Sequence, residues 1–219
     1  MAKLLIFDWD GTLCDSLSRI ALCIRCAAEE IGLPPPPEHE AREIVGLGLV
    51  DALERLFPGI HMDQILAMRD SYSRHFVQHD SNPSPFFEGV QETLEALKDE
   101  GYLLAVATGK SRRGLNRVFR SRKLNNFFHG SRCADETAGK PNPLMIHELL
   151  DDFGVPTKDA LMIGDTEFDM EMAVNAGTPR IAVSYGAHSA DRLKKYQPLA
   201  CVDDFFEIRN IIKNNILNI

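Results

Sequence analysis

Four apolar residues, Leu4-Leu5-Ile6-Phe7, run straight into Asp8-Trp9-Asp10-Gly11. A short apolar run without polar alternation suits a strand buried on both faces, the kind found in parallel sheets. Such sheets build their sites beyond the carboxyl ends of their strands, which is where Asp8 and Asp10 stand. Alternation along an extended chain puts those two carboxylates on one side and Trp9 on the other. Gly11 then permits a tight departure and a close backbone approach. Two carboxylates this close repel unless a cation lies between them, and a hard divalent ion such as magnesium suits oxygen ligands of this type. For the two aspartates alone, an acidic loop capping a helix is the plainer reading, so the rest of the chain has to decide.

Ser16 is placed to cap a helix running to about residue 31, and Leu33 followed by Pro34-Pro35-Pro36-Pro37 ends it. Helical patterns resume over about 38–45, 50–57 and 63–79, with no strand between residues 16 and 80. Asp80-Ser81-Asn82-Pro83-Ser84-Pro85 reads as a return linker rich in turn formers. From there helices and strands alternate. Helices are expected over 89–100, through Leu115, Val118 and Phe119, over 143–153, 169–176 and 203–216. Strands are expected over 103–107, 127–131, 160–163, 181–183 and 199–202. This rhythm predicts an α/β fold, a three-layer α/β/α core on a parallel sheet. The core takes residues 1–14 and 85–219, and residues 15–84 form an inserted α-helical cap domain.

Polar clusters follow the predicted strands in a fixed order: Asp8/Asp10, then Thr108-Gly109, then Lys140, then Asp165/Asp169. With the strings Asp8-x-Asp10-Gly11-Thr12-Leu13, Val106-Ala107-Thr108-Gly109-Lys110-Ser111, Lys140-Pro141-x-Pro143 and Gly164-Asp165-Thr166-x-x-Asp169, the chain resembles the haloacid dehalogenase superfamily along essentially its whole length. The position of the cap resembles the subclass with a small helical cap, and the strings look closest to the phosphoglycolate phosphatase group. The resemblance implies a Rossmann-like core and a magnesium-dependent phosphatase acting on a small phosphorylated metabolite. In it Asp8 is the nucleophile that forms an aspartyl-phosphate, and Asp10 is the general acid and then base. Thr108 and the Gly109 amide can donate to the phosphoryl oxygens, and Lys140 neutralises nucleophile and phosphate. Asp165 completes the Mg2+ shell with Asp8 and the Asp10 carbonyl, while Asp169 orients that shell or Lys140. Asp169 as the N-cap of the following helix, and Thr108 as a cap of its own, are the plainer alternatives. A cap loop of this family selects substrate, which makes Arg42, Gly46 and Gly48 candidate contacts.

A phosphomutase that returns the phosphoryl group to a second hydroxyl shares these motifs. A phospho-acceptor or binding module also uses an acidic cluster with Thr and Lys, but in another chain order and without an inserted cap. The net charge of −8 argues against nucleic acid and anionic membrane surfaces. No stretch is apolar enough to span a membrane or to open a secretory leader. The odd, scattered cysteines Cys14, Cys23, Cys26, Cys133 and Cys201 suit reduced thiols in a cytoplasm. A monomer and a homodimer are equally compatible with the composition. Three features read as decoys. Thr108-Gly109-Lys110-Ser111 lacks the first glycine of a P-loop. His75 and His79 look like an exposed cap face. Lys110, Arg112 and Arg113 look like a solvated helix face that can steer an anion.

Overall fold

The computed structural model describes residues 3–78 and 83–216. His79 and residues 80–82 of the expected linker lie outside them. The chain runs β1 (Leu4–Phe7), α1 (Leu17–Glu30), α2 (Glu38–Glu43), α3 (Leu49–Leu56), α4 (Met62–Gln78), α5 (Val90–Asp99), β2 (Leu103–Thr108) and α6 (Arg112–Ser121). It continues through β3 (Gly130–Cys133), α7 (Leu144–Phe153), β4 (Ala160–Gly164), α8 (Glu167–Asn175), β5 (Arg180–Val183), α9 (Ala190–Leu193), β6 (Cys201–Val202) and α10 (Glu207–Ile216).

The six strands form one parallel sheet in the order β3-β2-β1-β4-β5-β6. β1 lies at its centre, with Leu4 opposite Leu103 on one side and Ala160 on the other. Alternation sorts its side chains. Leu5 and Phe7 pack with Val90, Leu94 and Leu97 of α5, Leu115 of α6 and Ile208 of α10. Leu4 and Ile6 pack with Met145, Ile146 and Leu149 of α7 and Met172 of α8. Two helical layers therefore sandwich the sheet, and the fold is the Rossmann-like α/β/α arrangement. Strand order reverses between β1 and β4, the place where open α/β sheets leave a crevice at their carboxyl edge.

The helices α1–α4 have an apolar cluster of their own, built on Leu17, Ile20, Ile24, Ala41, Leu53, Ile65 and Met68. The chain leaves and re-enters the sheet region side by side. Asp15 N donates to Pro85 O (2.9 Å) and Phe87 N to Leu13 O (3.1 Å). Arg122 donates to Ser84 O and lies 4.2 Å over the Phe86 ring, which ties the second crossing to the end of α6.

Several expected elements shift. The strand expected over 127–131 begins at Gly130, because Phe127 and Phe128 turn into the core, where Phe128 packs on Trp9 and Phe119. Ser16 precedes α1 but does not cap it. Its hydroxyl donates instead to Asp10 Oδ1 (2.5 Å). The helix expected from residue 169 starts at Glu167, with Thr166 as its N-cap and Asp169 closing a capping box. Ser111 rather than Thr108 caps α6, accepting from Gly114 N. The closing helix starts at Glu207, and α9 is an addition. No helix among the described residues is long and apolar enough to cross a membrane.

Candidate active site

β1 delivers Asp8, and its ladder continues one residue further, with Asp8 N donating to Ile163 O (3.0 Å). β4 delivers Asp165 just past Gly164, and β2 ends on Thr108. Adjacent parallel strands end level, so side chains far apart in sequence meet at one edge. Lys140 reaches the same point from the segment before α7, and Asp169 reaches it from the first turn of α8.

The result is a buried ionic cluster. Lys140 Nζ donates to Asp8 Oδ1 (2.5 Å) and lies 2.7 Å from Asp169 Oδ1. The other Asp169 oxygen accepts from Thr166 N (3.0 Å) and Thr166 Oγ1 (2.6 Å), so both oxygens of this carboxylate are engaged. Asp165 is held equally firmly, with Oδ1 accepting from Thr12 Oγ1 (2.6 Å) and Oδ2 from Ala187 N (2.7 Å). Gly11, at φ +86, lets the loop press onto Asp165, and a Cβ there would overlap that carboxylate. Asp8 Oδ2 and Asp169 Oδ1 are both buried without a hydrogen-bond partner, but Asp169 Oδ1 has the Lys140 ammonium beside it and Asp8 Oδ2 has no ion pair at all.

Burial raises the Asp8 carboxyl well above the usual range, with Lys140 opposing and Asp169 and Asp165 adding to the rise. Burial, helped by Asp169, pushes Asp165 up to about 7. Burial alone would lower the Lys140 ammonium, but Asp169 and Asp8 outweigh it and hold the amine protonated. Asp8, Asp165 and Asp169 each offer an oxygen within 4.8 Å of the others. Three buried carboxylates face a single ammonium here, and one carboxylate oxygen has no donor. An oxygen-rich pocket with excess negative charge fits a hard divalent cation. Asp8, Asp165 and Asp169 are the carboxylates close enough together to share such an ion.

Asp10 stands beside this cluster and turns its carboxylate the other way, toward Ser16 and toward Lys110 Nζ (2.9 Å). Lys110 is therefore not on a solvated face. Its side chain is 10% exposed and crosses to within 4.9 Å of the Phe76 ring on α4. Arg112, by contrast, is tied down by Glu136 and Ser131. Thr108, Gly109, Gly46 and Gly48 line the same cavity as Asp8 and Asp10. The carbonyls of Gly46 and Leu47 press on Gly109 so closely that a Cβ there would overlap them. Arg42 is not brought to the cavity; its guanidinium bonds Ser18 Oγ (3.0 Å) and sits near Glu38 on α2. His75 pairs with Glu30 (2.8 Å), and His79 lies outside the described residues. Cys23 is buried in α1 as expected of an apolar thiol. Burial and Asp10 push the Cys14 thiol up to about 12, which keeps it protonated beside the site.

The sequence reading gives no site role to Thr12, Ser16, Tyr72 or Phe76. Thr12 lies inside the first motif and Ser16 reads as a helix cap, and nothing local names the carboxylates their hydroxyls meet. Tyr72 and Phe76 carried no signal, since a helical aromatic pair reads as core.

A model of the haloacid dehalogenase-like hydrolase family matches residues 5–183. A phosphoglycolate phosphatase of Mannheimia succiniciproducens is 29% identical over 96% of this chain and 98% of its own length. The "Probable phosphatase IndB" of Dickeya dadantii is 32% identical over 95% of this chain and 92% of its own. Among solved structures, a haloacid dehalogenase-like family hydrolase of Streptococcus pneumoniae superposes with a TM-score of 0.83 at 25% identity, covering 96% of this chain and 98% of the other.

Proposed function

Because the chain belongs to the haloacid dehalogenase-like hydrolases and is a phosphatase of the phosphoglycolate phosphatase-like kind, we propose that it is a magnesium-dependent phosphomonoesterase working through an aspartyl-phosphate on Asp8. One observation carries this reading: Asp8, on the cavity wall, has one oxygen pinned by Lys140 and the other buried and unpartnered.

Lys140 fixes the carboxylate so that the free oxygen is aligned for attack on phosphorus. Thr108 Oγ1 and the Gly109 amide lie on the cavity wall at the end of β2, where donors to the phosphoryl oxygens are needed. Asp10 lies within the same cavity. Its carboxyl gives a proton to the leaving alkoxide, and its carboxylate then takes one from the water that opens the acyl phosphate. Ser16 holds the oxygen not engaged by Lys110, which keeps the carboxylate aimed. Asp169 acts through Lys140 as a positioning residue. Asp8, Asp165 and the main-chain carbonyl of Asp10 would hold Mg2+, whose role is to offset the charge of the phosphoryl oxygens. The helices of residues 15–84 act as a cap domain over residues 1–14 and 85–219, excluding water from the site. The free thiols of all five cysteines suit a reducing cytoplasm.

The test is phosphate release from small phosphomonoesters, phosphoglycolate first, with Mg2+ and with chelator, by the native chain and by Asp8→Asn. Magnesium-dependent release by the native chain alone is expected, with the variant down on the order of 10⁴-fold or more. Isomerisation of a hexose phosphate without release would replace the phosphatase with a mutase. A labelled phosphoryl-enzyme stable for many minutes would replace it with a phospho-acceptor module.

A further inference from the structure

The cavity above Asp8 and Asp10 measures about 940 Å³, near the top of the range that houses drug-sized ligands. A two-carbon phosphorylated acid occupies a small part of such a space. The volume does not come from the helices standing away from the sheet at this point, because the Gly46 and Leu47 carbonyls already press on Gly109.

The wall facing the strand ends carries an apolar and aromatic patch. Ile20 of α1 and Tyr72, Phe76 and Val77 of α4 line it. The Tyr72 and Phe76 rings lie 5.7 Å apart in a tilted pair, and Val77 is 46% exposed. The cations that line the cavity from α4 and the β2 loop are already matched by carboxylates. Arg69 is held by Asp70 (2.9 Å), Arg74 by Glu30 (2.5 Å) and Lys110 by Asp10 (2.9 Å). Arg113 stands exposed at the mouth, on α6. A second anionic group held at the helical wall, away from Arg113, would have to displace one of these pairs, whereas an uncharged apolar body needs only the wall as it stands.

We propose that the substrate is a phosphomonoester whose leaving alcohol carries an uncharged aromatic or branched apolar body, seated against Tyr72 and Phe76. The proposal rests on the phosphatase reading and goes beyond the activity of the relatives. Its energetic source is removal of apolar surface from water on both partners, aided by tilted ring contacts.

The experiment compares kcat/KM for ethyl phosphate, phosphoglycolate and benzyl phosphate, three alkyl esters whose leaving groups differ mainly in their bodies. Benzyl phosphate is expected to exceed the other two by about tenfold to a hundredfold. Phe76→Ala, and the milder Phe76→Leu should the first unfold, are expected to bring the benzyl-to-ethyl ratio down toward one. Phosphoglycolate turned over as well as benzyl phosphate would overturn the proposal while leaving the phosphatase reading intact. Should no ester be hydrolysed, the phosphatase reading fails, and calorimetric titration of the native chain separates the two. Benzylphosphonate binding about tenfold tighter than methylphosphonate upholds the apolar seat, and equal affinity removes it.

Discussion

The two walls of the cavity are built on opposite principles. On the strand-end wall, Asp8, Lys140, Asp165 and Asp169 are each no more than 2% exposed, and their oxygens and ammonium are held by named partners, Asp8 Oδ2 excepted. On the helical wall, Tyr72, Phe76 and Val77 are partly or well exposed; the Tyr72 and Phe76 rings pack on each other and on the helical core, with Lys110 over Phe76. The first wall is rigid, charged and dry, which is where fixed donors act most strongly on a reacting phosphate. The second rests on ring and apolar contacts with half-exposed ion pairs at its edge, and can change without disturbing the sheet. One wall would set the reaction and the other the substrate.

The comparison breaks most severely if the charged wall is damaged. Lys140→Met leaves Asp8, Asp165 and Asp169 facing each other without their ammonium. We expect kcat/KM to fall on the order of 10³-fold, together with a loss of about 3–5 kcal/mol in stability from the unpaired buried carboxylates. Steady-state kinetics and urea unfolding measure the two separately. If activity fell with no loss of stability, the cluster would not be the ionic support described.

Metal removal sharpens the same wall. Burial and Asp169 hold Asp165 at about 7 in the folded chain, against 3.8 ordinarily. Between those values the folded chain binds a proton that the unfolded chain has released, so stability of the metal-free protein falls as pH rises from about 4 to about 7. A divalent cation held by Asp165 would take the place of that proton. The rise in Tm on replacing chelator with Mg2+ should therefore be larger at pH 8 than at pH 5. An equal rise at both would place the metal elsewhere.

How each wall appears in the sequence follows from the same difference. A parallel strand announces itself as an apolar run, and its carboxyl end is a fixed address, so Asp8, Thr108 and Asp165 could be placed just past the runs 4–7, 103–107 and 160–163. Lys140 lies on no strand and was placed by motif order. The hydroxyls of Thr12 and Ser16 were not legible, because their partners were identifiable only after Gly11 had turned the chain. Lys110 read as a solvated lysine since nothing local marks the reach from a core loop to Phe76 on a helix. Arg42 failed for the converse reason: its place on α2 turns it to Ser18, outside the cavity.

Gly109→Ala tests how firmly the two walls are joined. A methyl group there overlaps the Leu47 carbonyl, which belongs to main chain and cannot rotate away. The helices must retreat from the strand ends, so kcat/KM should fall about tenfold, with an overpacking cost of about 1–3 kcal/mol. Unchanged kinetics would show that the contact is not needed for turnover.

The smallest effect belongs to the helical unit alone. Hydrogen bonds from Ser71 and Arg74 on α4 hold the Glu30 carboxyl of α1 down at about 2, against 4.5 ordinarily. A depressed carboxylate stabilises the fold above its unfolded value, and that contribution is lost as pH falls through about 2. Glu30 is open to solvent, so screening keeps the effect modest. Glu30→Gln should lower Tm slightly at pH 7, and the gap from the native chain should close as pH falls from about 5 to about 2. Hydrogen exchange should locate the loosening in α1 and α4 while β1 and β4 keep their protection. Were β1 and β4 to loosen equally, the helices and the sheet would unfold as one unit, and the two walls could not vary independently.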